Sequence, residues 1–233
     1  MEKNETLKKQ IKSKERVADH GEVFTNPREV NAMLDLVKSE TERIDSRFLE
    51  PACGDGNFLS EILNRKLSVV NSRYSKNPSD YIRYSILALT SIYGIELLQD
   101  NVVSCRERLY QIWKEEYDKF ADGKASDDVE KSATFILERN ILCGNALTLK
   151  KVDNKAKDLD DPIIFSEWSF VSETNIKRRD FRLDQMLRGH EDTMDLFEMN
   201  DWEFDKETNA WIPTPIKEFA LLDYRKVWEQ NEQ

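Results

Sequence analysis

Hydrophobic residues recur along the chain at two spacings, one typical of amphipathic helices and the other of short buried strands. Helical spacing follows Asn26, Gly56 and Glu96, and a further helix is predicted over 81–90. Short apolar runs predict strands, which lie at 48–50, 91–96, 140–143 and 162–165. Because helices and strands alternate, the sequence predicts an α/β fold.

Segments of different composition flank this alternating region. The predicted parts are a polar N-terminal arm (1–17), an α/β domain (18–165) and a C-terminal appendage (166–233). Within the appendage we expect a short helix over 180–188 and a hairpin that turns around 206–209. The polar stretch 121–131 is predicted to be a loop.

Length and composition limit the class of protein. A chain of 233 residues can bury one large core, and 39% of its residues are hydrophobic. No apolar run approaches the ~20 residues that span a bilayer, so we expect no membrane segment. Cys53, Cys105 and Cys143 are widely spaced and lie in apolar segments, which indicates reduced core residues of a cytoplasmic protein without a metal site.

The net charge of −10 argues against a protein that grips duplex DNA by itself. Strong duplex binders usually neutralise phosphates with clustered Lys and Arg side chains. Basic clusters occur here at 3–16, where acidic residues dilute them, and at 177–179. Either cluster could contact a phosphate or form a solvated face. We therefore expect most contacts with any DNA to come from another chain.

The segment 47–59 contains the strongest functional pattern. A short apolar strand ends in Glu50, a tight turn follows, and a helix is predicted to begin at Asn57. Gly54 and Gly56 allow positive φ angles and a close approach of the main chain to a ligand. The helix start directs free amides and the positive end of its dipole toward the same place. Only two of the three glycines of the dinucleotide fingerprint are present, so this pattern is a different one.

The turn resembles the S-adenosylmethionine loop of adenine-specific DNA methyltransferases, which reads D/E/N-P-x-C-G-x-G in that family. The residues that carry the resemblance are Glu50, Pro51, Ala52, Cys53, Gly54, Asp55 and Gly56. The resemblance implies that these residues contact the cofactor. It also implies the class I S-adenosylmethionine-dependent methyltransferase fold, whose sheet is Rossmann-like.

Glu96, at the end of the second predicted strand, is the next carboxylate of interest. An acid at this place in nucleotide-binding α/β folds accepts hydrogen bonds from both ribose hydroxyls, because a carboxylate offers two acceptors in one plane. With Leu97, the run from Tyr93 resembles the second methyltransferase motif, Y-G-I-D/E. We therefore predict that Glu96 binds the ribose of the cofactor. A lone acid at a strand end can also be a solvated turn residue.

Two further patches follow the order of the same family. After the third predicted strand, Asn145, Ala146 and Leu147 resemble the G-D/N-A/S-L motif, which implies that the amide oxygen of Asn145 accepts a hydrogen bond from the adenine amine. Near the N-terminus, Phe24 and Thr25 resemble the motif G-x-x-F/Y-T-P, whose Thr holds the carboxylate of the cofactor. One extra residue precedes the proline here, and the same segment also reads as an ordinary helix cap.

The tetrapeptide N-P-P-Y/F, which holds the target adenine in this family, does not occur in the chain. In its place, after the fourth predicted strand, stand Glu167 and Trp168. Trp168 could stack on a flipped base and Glu167 could accept a hydrogen bond from its amine. The alternative is that Trp168 is a packing residue at the end of a strand.

The resemblance therefore implies the cofactor-binding half of a methyltransferase, truncated after its fourth strand. As one subunit of a site-specific DNA methyltransferase, it would support methyl transfer to adenine N6 in DNA, as in a restriction-modification system. A second protein chain would supply the N-P-P-aromatic motif and recognise the target. The alternatives are a non-catalytic S-adenosylmethionine-binding subunit, with a regulatory or structural role, and a remnant without a ligand.

Overall fold

The computed structural model describes residues 13, 15, 16, 18, 25–121, 123–188, 202–205 and 210–230. The α-helices are α1 (Pro27–Asp35), α2 (Lys38–Thr41), α3 (Asn57–Tyr74), α4 (Pro78–Thr90), α5 (Gln99–Phe120), α6 (Asp127–Asn140) and α7 (Leu183–Arg188). The strands are β1 (Phe48–Glu50), β2 (Ile92–Glu96), β3 (Ile141–Cys143), β4 (Lys150–Val152), β5 (Asp158–Pro162), β6 (Ile164–Phe170), β7 (Asn175–Arg182), β8 (Trp202–Asp205), β9 (Ala210–Pro213), β10 (Lys217–Glu218) and β11 (Leu222–Asp223). A 3-10 helix, Tyr224–Glu229, follows β11.

A parallel sheet with the strand order β1-β2-β3 forms the centre of the fold. Glu50 lies opposite Gly94, and Glu96 lies opposite Cys143, so the carboxyl ends of the three strands meet at one edge. The middle strand β2 is buried along its whole length, as expected of a parallel strand covered on both faces. The predicted α/β class is confirmed, and the arrangement is compatible with a Rossmann-like fold.

Helices α3, α4 and α5 contact one another, α6 contacts α4 and α5, and all four contact β2. Their buried faces form the core with β2, and the largest fully buried apolar side chains are Trp113, Tyr81, Tyr117, Leu59, Leu63, Leu67, Ile86, Leu89, Ile92, Ile95 and Leu109. Helix α1 begins as predicted, because Asn26 Oδ1 accepts a hydrogen bond from Arg28 N at 2.9 Å and Pro27 occupies the first helical position. The sequence pattern therefore located most of this layer correctly.

Lys66 is the one lysine among the large, fully buried side chains of α3. Its Nζ donates to the main-chain oxygens of Arg43 and Ile44 at 3.0 Å each and of Ser46 at 2.5 Å. It also lies 2.9 Å from Ser91 Oγ. One side chain thus joins α3 to the segments that lead into β1 and β2.

The prediction that 162–165 forms a fourth strand of the parallel sheet is wrong. Strand β6 instead pairs with β7 in an antiparallel hairpin, and β10 and β11 also pair with β7 in this second sheet. The connection between β6 and β7 is short, and Ser172 Oγ accepts hydrogen bonds from Thr174 N and Asn175 N in it. Such a local turn makes antiparallel pairing the available arrangement, because a parallel partner requires a long crossover.

The second sheet packs against the first. Tyr93 of β2 donates from its hydroxyl to Ser166 O at 3.1 Å, and its ring meets Phe165 edge to face. Trp168 Nε1 donates to Asn140 Oδ1 at 2.9 Å. The predicted boundary between the domain and the appendage, at 165/166, therefore falls inside β6, a strand that packs against the central sheet.

Three other local predictions can be compared with the structure. The predicted loop 121–131 is wrong in its second half, because α6 begins at Asp127 with Ser126 Oγ accepting from Asp128 N. The helix predicted over 180–188 begins only at Leu183, since the preceding residues belong to β7. The predicted hairpin is confirmed by the antiparallel pair β8 and β9, and its turn 206–209 lies outside the described residues.

In the described ranges, no helix has the length and apolarity needed to cross a membrane.

Candidate functional site

The candidate site lies at the edge where the carboxyl ends of β1, β2 and β3 meet. Two main-chain hydrogen bonds hold the segments after these strands in place: Cys53 N donates to Ile95 O, and Gly144 N donates to Glu96 O, each at 2.9 Å. Open α/β sheets bind ligands in the crevice beyond this edge. The strand ends therefore bring together three of the four predicted cofactor patches.

The loop 51–56 turns tightly because two glycines adopt positive φ angles. Gly54 has φ +53° and Gly56 has φ +92°. A Cβ atom at Gly56 would lie 2.7 Å from Cys105 Sγ on α5, so the loop approaches α5 more closely than any side chain permits. Helix α3 begins directly after this turn, and no side chain caps its first amides. These amides and the helix dipole favour a negatively charged or strongly polar ligand group.

Arg108 on α5 fixes the same loop through its guanidinium group. Arg108 Nη2 donates to Asp55 Oδ2 at 2.6 Å, and Nη1 donates to Asn57 Oδ1 at 2.7 Å and to Asp55 Oδ1 at 3.3 Å. Arg108 was not predicted from the sequence. It lies beside the apolar stripe of α5 that contains Leu109, where a long polar side chain next to a buried face could have suggested the contact.

Glu96 is almost fully buried, and it connects the loop to α5. Its Oε2 accepts from Gly54 N at 2.9 Å, whereas Oε1 accepts from Leu98 N at 3.0 Å and from Asn101 Nδ2 at 3.3 Å. A carboxylate has about four lone-pair sites, so these three contacts leave one site, on Oε2, for a hydrogen bond from a ribose hydroxyl. The predicted ribose acid therefore lies where the glycine loop meets the start of α5.

The other loop residues differ in burial and in their contacts. Burial raises the pKa of Glu50, and a hydrogen bond from the Ala52 main chain partly opposes this increase. Cys53 is buried, and its thiol contacts that of Cys105, which together with burial raises the pKa of Cys53. Pro51 and Ala52 are exposed at the rim of the crevice.

The N-terminal patch reaches the site through its main chain. Asn57 Nδ2 donates to Thr25 O at 3.4 Å, so Thr25 lies at the start of α3. Phe24 lies outside the described residues.

Asn145 forms a turn that supports the β4–β5 hairpin. Asn145 Oδ1 accepts from Leu147 N at 3.0 Å, and Nδ2 donates to Asp158 Oδ1 at 2.9 Å. The amide oxygen that was predicted to contact adenine is therefore engaged by Leu147 N. Leu147 itself is 94% exposed, and Ala146 is half-buried.

A cleft of about 190 Å³ opens next to Glu96, between the start of α5 and the tip of the β4–β5 hairpin. Leu97, Leu98 and Gln99 line one side, and the hairpin residues 153–156 line the other. Leu97 O also accepts a hydrogen bond from Cys143 Sγ at 3.5 Å, which ties this side to β3. The cleft is thus an extension of the crevice at the strand ends.

Glu167 and Trp168 lie away from this edge, in the packed part of β6. Trp168 is 4% exposed and donates to Asn140. Burial alone would raise the pKa of Glu167, but a hydrogen bond from Ser169 and the guanidinium groups of Arg47 and Arg179 lower the pKa below its usual value. In this arrangement both side chains stabilise the contact between the two sheets.

The basic cluster 177–179 is neutralised by neighbouring acids. Lys177 pairs with Glu218 at 2.7 Å, and Arg179 pairs with Glu167 at 3.1 Å. Arg178 is buried and forms a bidentate pair with Asp180. This geometry corresponds to a structural role more closely than to a phosphate-binding face.

The fold and the site together define an α/β protein with a glycine-containing loop and a buried acid at the carboxyl edge of a parallel sheet. No protein-family model, curated protein or solved structure matches the chain. The geometry of the site is therefore the basis of the functional proposal.

Proposed function

We propose that this chain binds S-adenosylmethionine and is the cofactor-binding subunit of a split DNA adenine N6-methyltransferase. The observation that carries the proposal is the junction of the loop 51–56 with Glu96, where Gly54 N and the carboxylate are 2.9 Å apart. The resemblance of the loop to the methyltransferase motif gives this junction its chemical interpretation.

The residues present fit each part of the cofactor. Glu96 offers an acceptor for a ribose hydroxyl, and the amides at the start of α3 with Thr25 suit the carboxylate of the methionine part. Glu50, at the end of β1, would place negative charge near the sulfonium and amino groups. The cleft beside Leu97 would receive the base. When bound, the cofactor supplies an electrophilic methyl group, and the chain holds and orients it.

The acceptor half of the reaction requires a second protein chain in this proposal. The sequence lacks the N-P-P-aromatic motif, and within the described part of the chain β1 pairs with β2 alone. The outer edge of β1 is therefore available for a strand of the partner, and it adjoins Glu50.

Replacing Glu96 with alanine should weaken S-adenosylmethionine binding about tenfold to a hundredfold, because a charge-assisted hydrogen bond to the ribose is lost, about 1.5–3 kcal/mol. Isothermal titration calorimetry of the purified chain measures this change. Gly54→Trp, which fills the loop with a side chain, should abolish the binding.

Glu173→Ala is the matched control, because Glu173 is exposed in the connection between β6 and β7. Since Glu96 also supports the loop, circular dichroism melting must first show that the Glu96 variant is folded. Unchanged affinity in a folded Glu96→Ala variant would contradict the proposed site. Absence of binding by the parent chain would contradict the proposed function.

A non-catalytic S-adenosylmethionine-binding subunit is the second candidate. The observation that favours it is the position of Glu167 and Trp168, the two weak candidates for catalysis, which are buried between the sheets. In this role the chain would bind the cofactor and regulate or stabilise a complex without transferring a methyl group.

The isolated chain should transfer no methyl group to DNA above background. The reasons are the missing acceptor motif and the net charge of −10, which opposes binding to phosphates. The measurement is incubation of the purified chain with tritium-labelled S-adenosylmethionine and adenine-containing duplex DNA. Addition of a co-purifying chain that carries N-P-P-aromatic should restore transfer if the subunit is catalytic, and should leave it at background if it is not. Robust N6-adenine methylation by the chain alone would contradict the split arrangement.

A further inference from the structure

The hairpin β4–β5 contributes a second wall to the crevice. Its tip is ordered by its own hydrogen bonds, since Asp153 Oδ1 accepts from Lys155 N at 2.8 Å and from Lys157 N at 2.9 Å. At its base, Asn145 N donates to Lys150 O at 2.9 Å, and Asn145 Nδ2 reaches Asp158 near the tip. A wall held at both its base and its tip can position a ligand-contacting side chain on a rigid element.

The amide that was expected to contact adenine is used within the hairpin. Both polar atoms of the Asn145 side chain have partners, Leu147 N and Asp158 Oδ1. Asn154, in contrast, lines the cleft and its side-chain amide makes no hydrogen bond within the described residues. The chain therefore presents one asparagine amide that is committed to its own fold, and a second asparagine that is exposed and lines the cleft.

We propose that Asn154, at the tip of the β4–β5 hairpin, recognises the adenine base of the bound cofactor. An asparagine amide carries a donor and an acceptor side by side, which matches the exocyclic amine and an adjacent ring nitrogen of adenine. The cleft begins directly after Glu96, so a ribose held by Glu96 directs its base toward Leu97 and the hairpin tip. This inference rests on the proposed function and adds a specificity-determining residue to it.

The base itself provides the test. S-adenosylhomocysteine and S-inosylhomocysteine differ at the purine 6-position, where the second has a carbonyl oxygen in place of the amine. The parent chain should bind the adenosyl compound about tenfold more tightly, as expected for one good hydrogen-bonded pair. Asn154→Ala should lose most of this preference, whereas Lys157→Ala, a change on the same hairpin outside the cleft lining, should retain it.

Calorimetric titration of the three proteins with both compounds gives the ratio of affinities, which a purely structural role of Asn154 would leave unchanged. If Asn154→Ala binds both compounds and keeps the parental ratio, the inference is overturned and the proposed function stands. If the parent chain binds neither compound, both are overturned. A lost preference in Asn154→Ala alone supports the inference.

Discussion

Replacing Lys66 with methionine should lower the free energy of unfolding by about 3 kcal/mol, because buried main-chain oxygens lose their hydrogen-bond donor. Lys66 is fully buried, and its Nζ donates to three main-chain oxygens that precede β1. Methionine fills the same volume but donates no hydrogen bond. The oxygens of Arg43, Ile44 and Ser46 would therefore lose a donor in the interior.

Urea unfolding followed by circular dichroism measures this change. Lys76→Met is the matched control, because Lys76 is exposed in the turn between α3 and α4 and a surface change of this kind usually alters stability by less than about 0.5 kcal/mol. A Lys66→Met protein as stable as the control would show that the cluster contributes nothing to the fold.

The pH dependence of the same pair of proteins provides a second measurement. Burial lowers the pKa of Lys66 from the ordinary value of 10.5 to about 7. Between these two pH values the unfolded chain binds a proton that the folded chain has lost, so the free energy of unfolding rises with pH. The parent should gain stability relative to Lys66→Met between pH 7 and pH 9, by at most about 1.4 kcal/mol per pH unit. A difference that stays constant or shrinks would contradict this pKa.

The sequence predicted the central layer well because its signals are local. A cap at Asn26, glycines at Gly54 and Gly56, and an acid at Glu96 each determine the backbone within a few residues. The register of parallel strands then brings Glu50 and Glu96 to one edge, so the predicted site could be assembled without knowledge of the packing. The start of α6 was also predictable, since Ser126 precedes three acids in the first turn.

The partners of each strand and side chain were less predictable, because they depend on contacts between distant residues. Nothing local distinguishes a fourth parallel strand from β6, whose partner β7 was interpreted as a basic cluster. Likewise, the pairing of Arg108 with Asp55 joins residues 53 positions apart. The hydrogen bond of Asn145 within the hairpin could be predicted only with knowledge of where Asp158 lies. Tertiary contacts therefore decide which of the predicted polar groups remain available to a ligand.

Replacing Gly56 with alanine should lower the free energy of unfolding by about 2–4 kcal/mol, because backbone strain and overpacking add at this position. Gly56 has φ +92°, which L residues rarely adopt, and the new Cβ would meet Cys105 Sγ at 2.7 Å. Cys105 is fully buried, so its sulfur cannot move into solvent. Gly123→Ala is a matched control with φ +72° and no atom within 4 Å of the new Cβ, and it should show the strain alone.

The loss in free energy of unfolding should therefore be larger for Gly56→Ala than for Gly123→Ala, and the difference measures the contact between the cofactor loop and α5. A double-mutant cycle with Cys105→Ala isolates this contact, because removing the sulfur leaves the Cβ of Cys105 at 3.5 Å, an ordinary packing distance. Urea unfolding should show that Gly56→Ala costs about 1–3 kcal/mol less in the Cys105→Ala background than in the parent. Equal costs in both backgrounds would mean that the loop yields to the added methyl group. The close approach between loop and helix would then not be what fixes the position of Gly54 and its contact with Glu96.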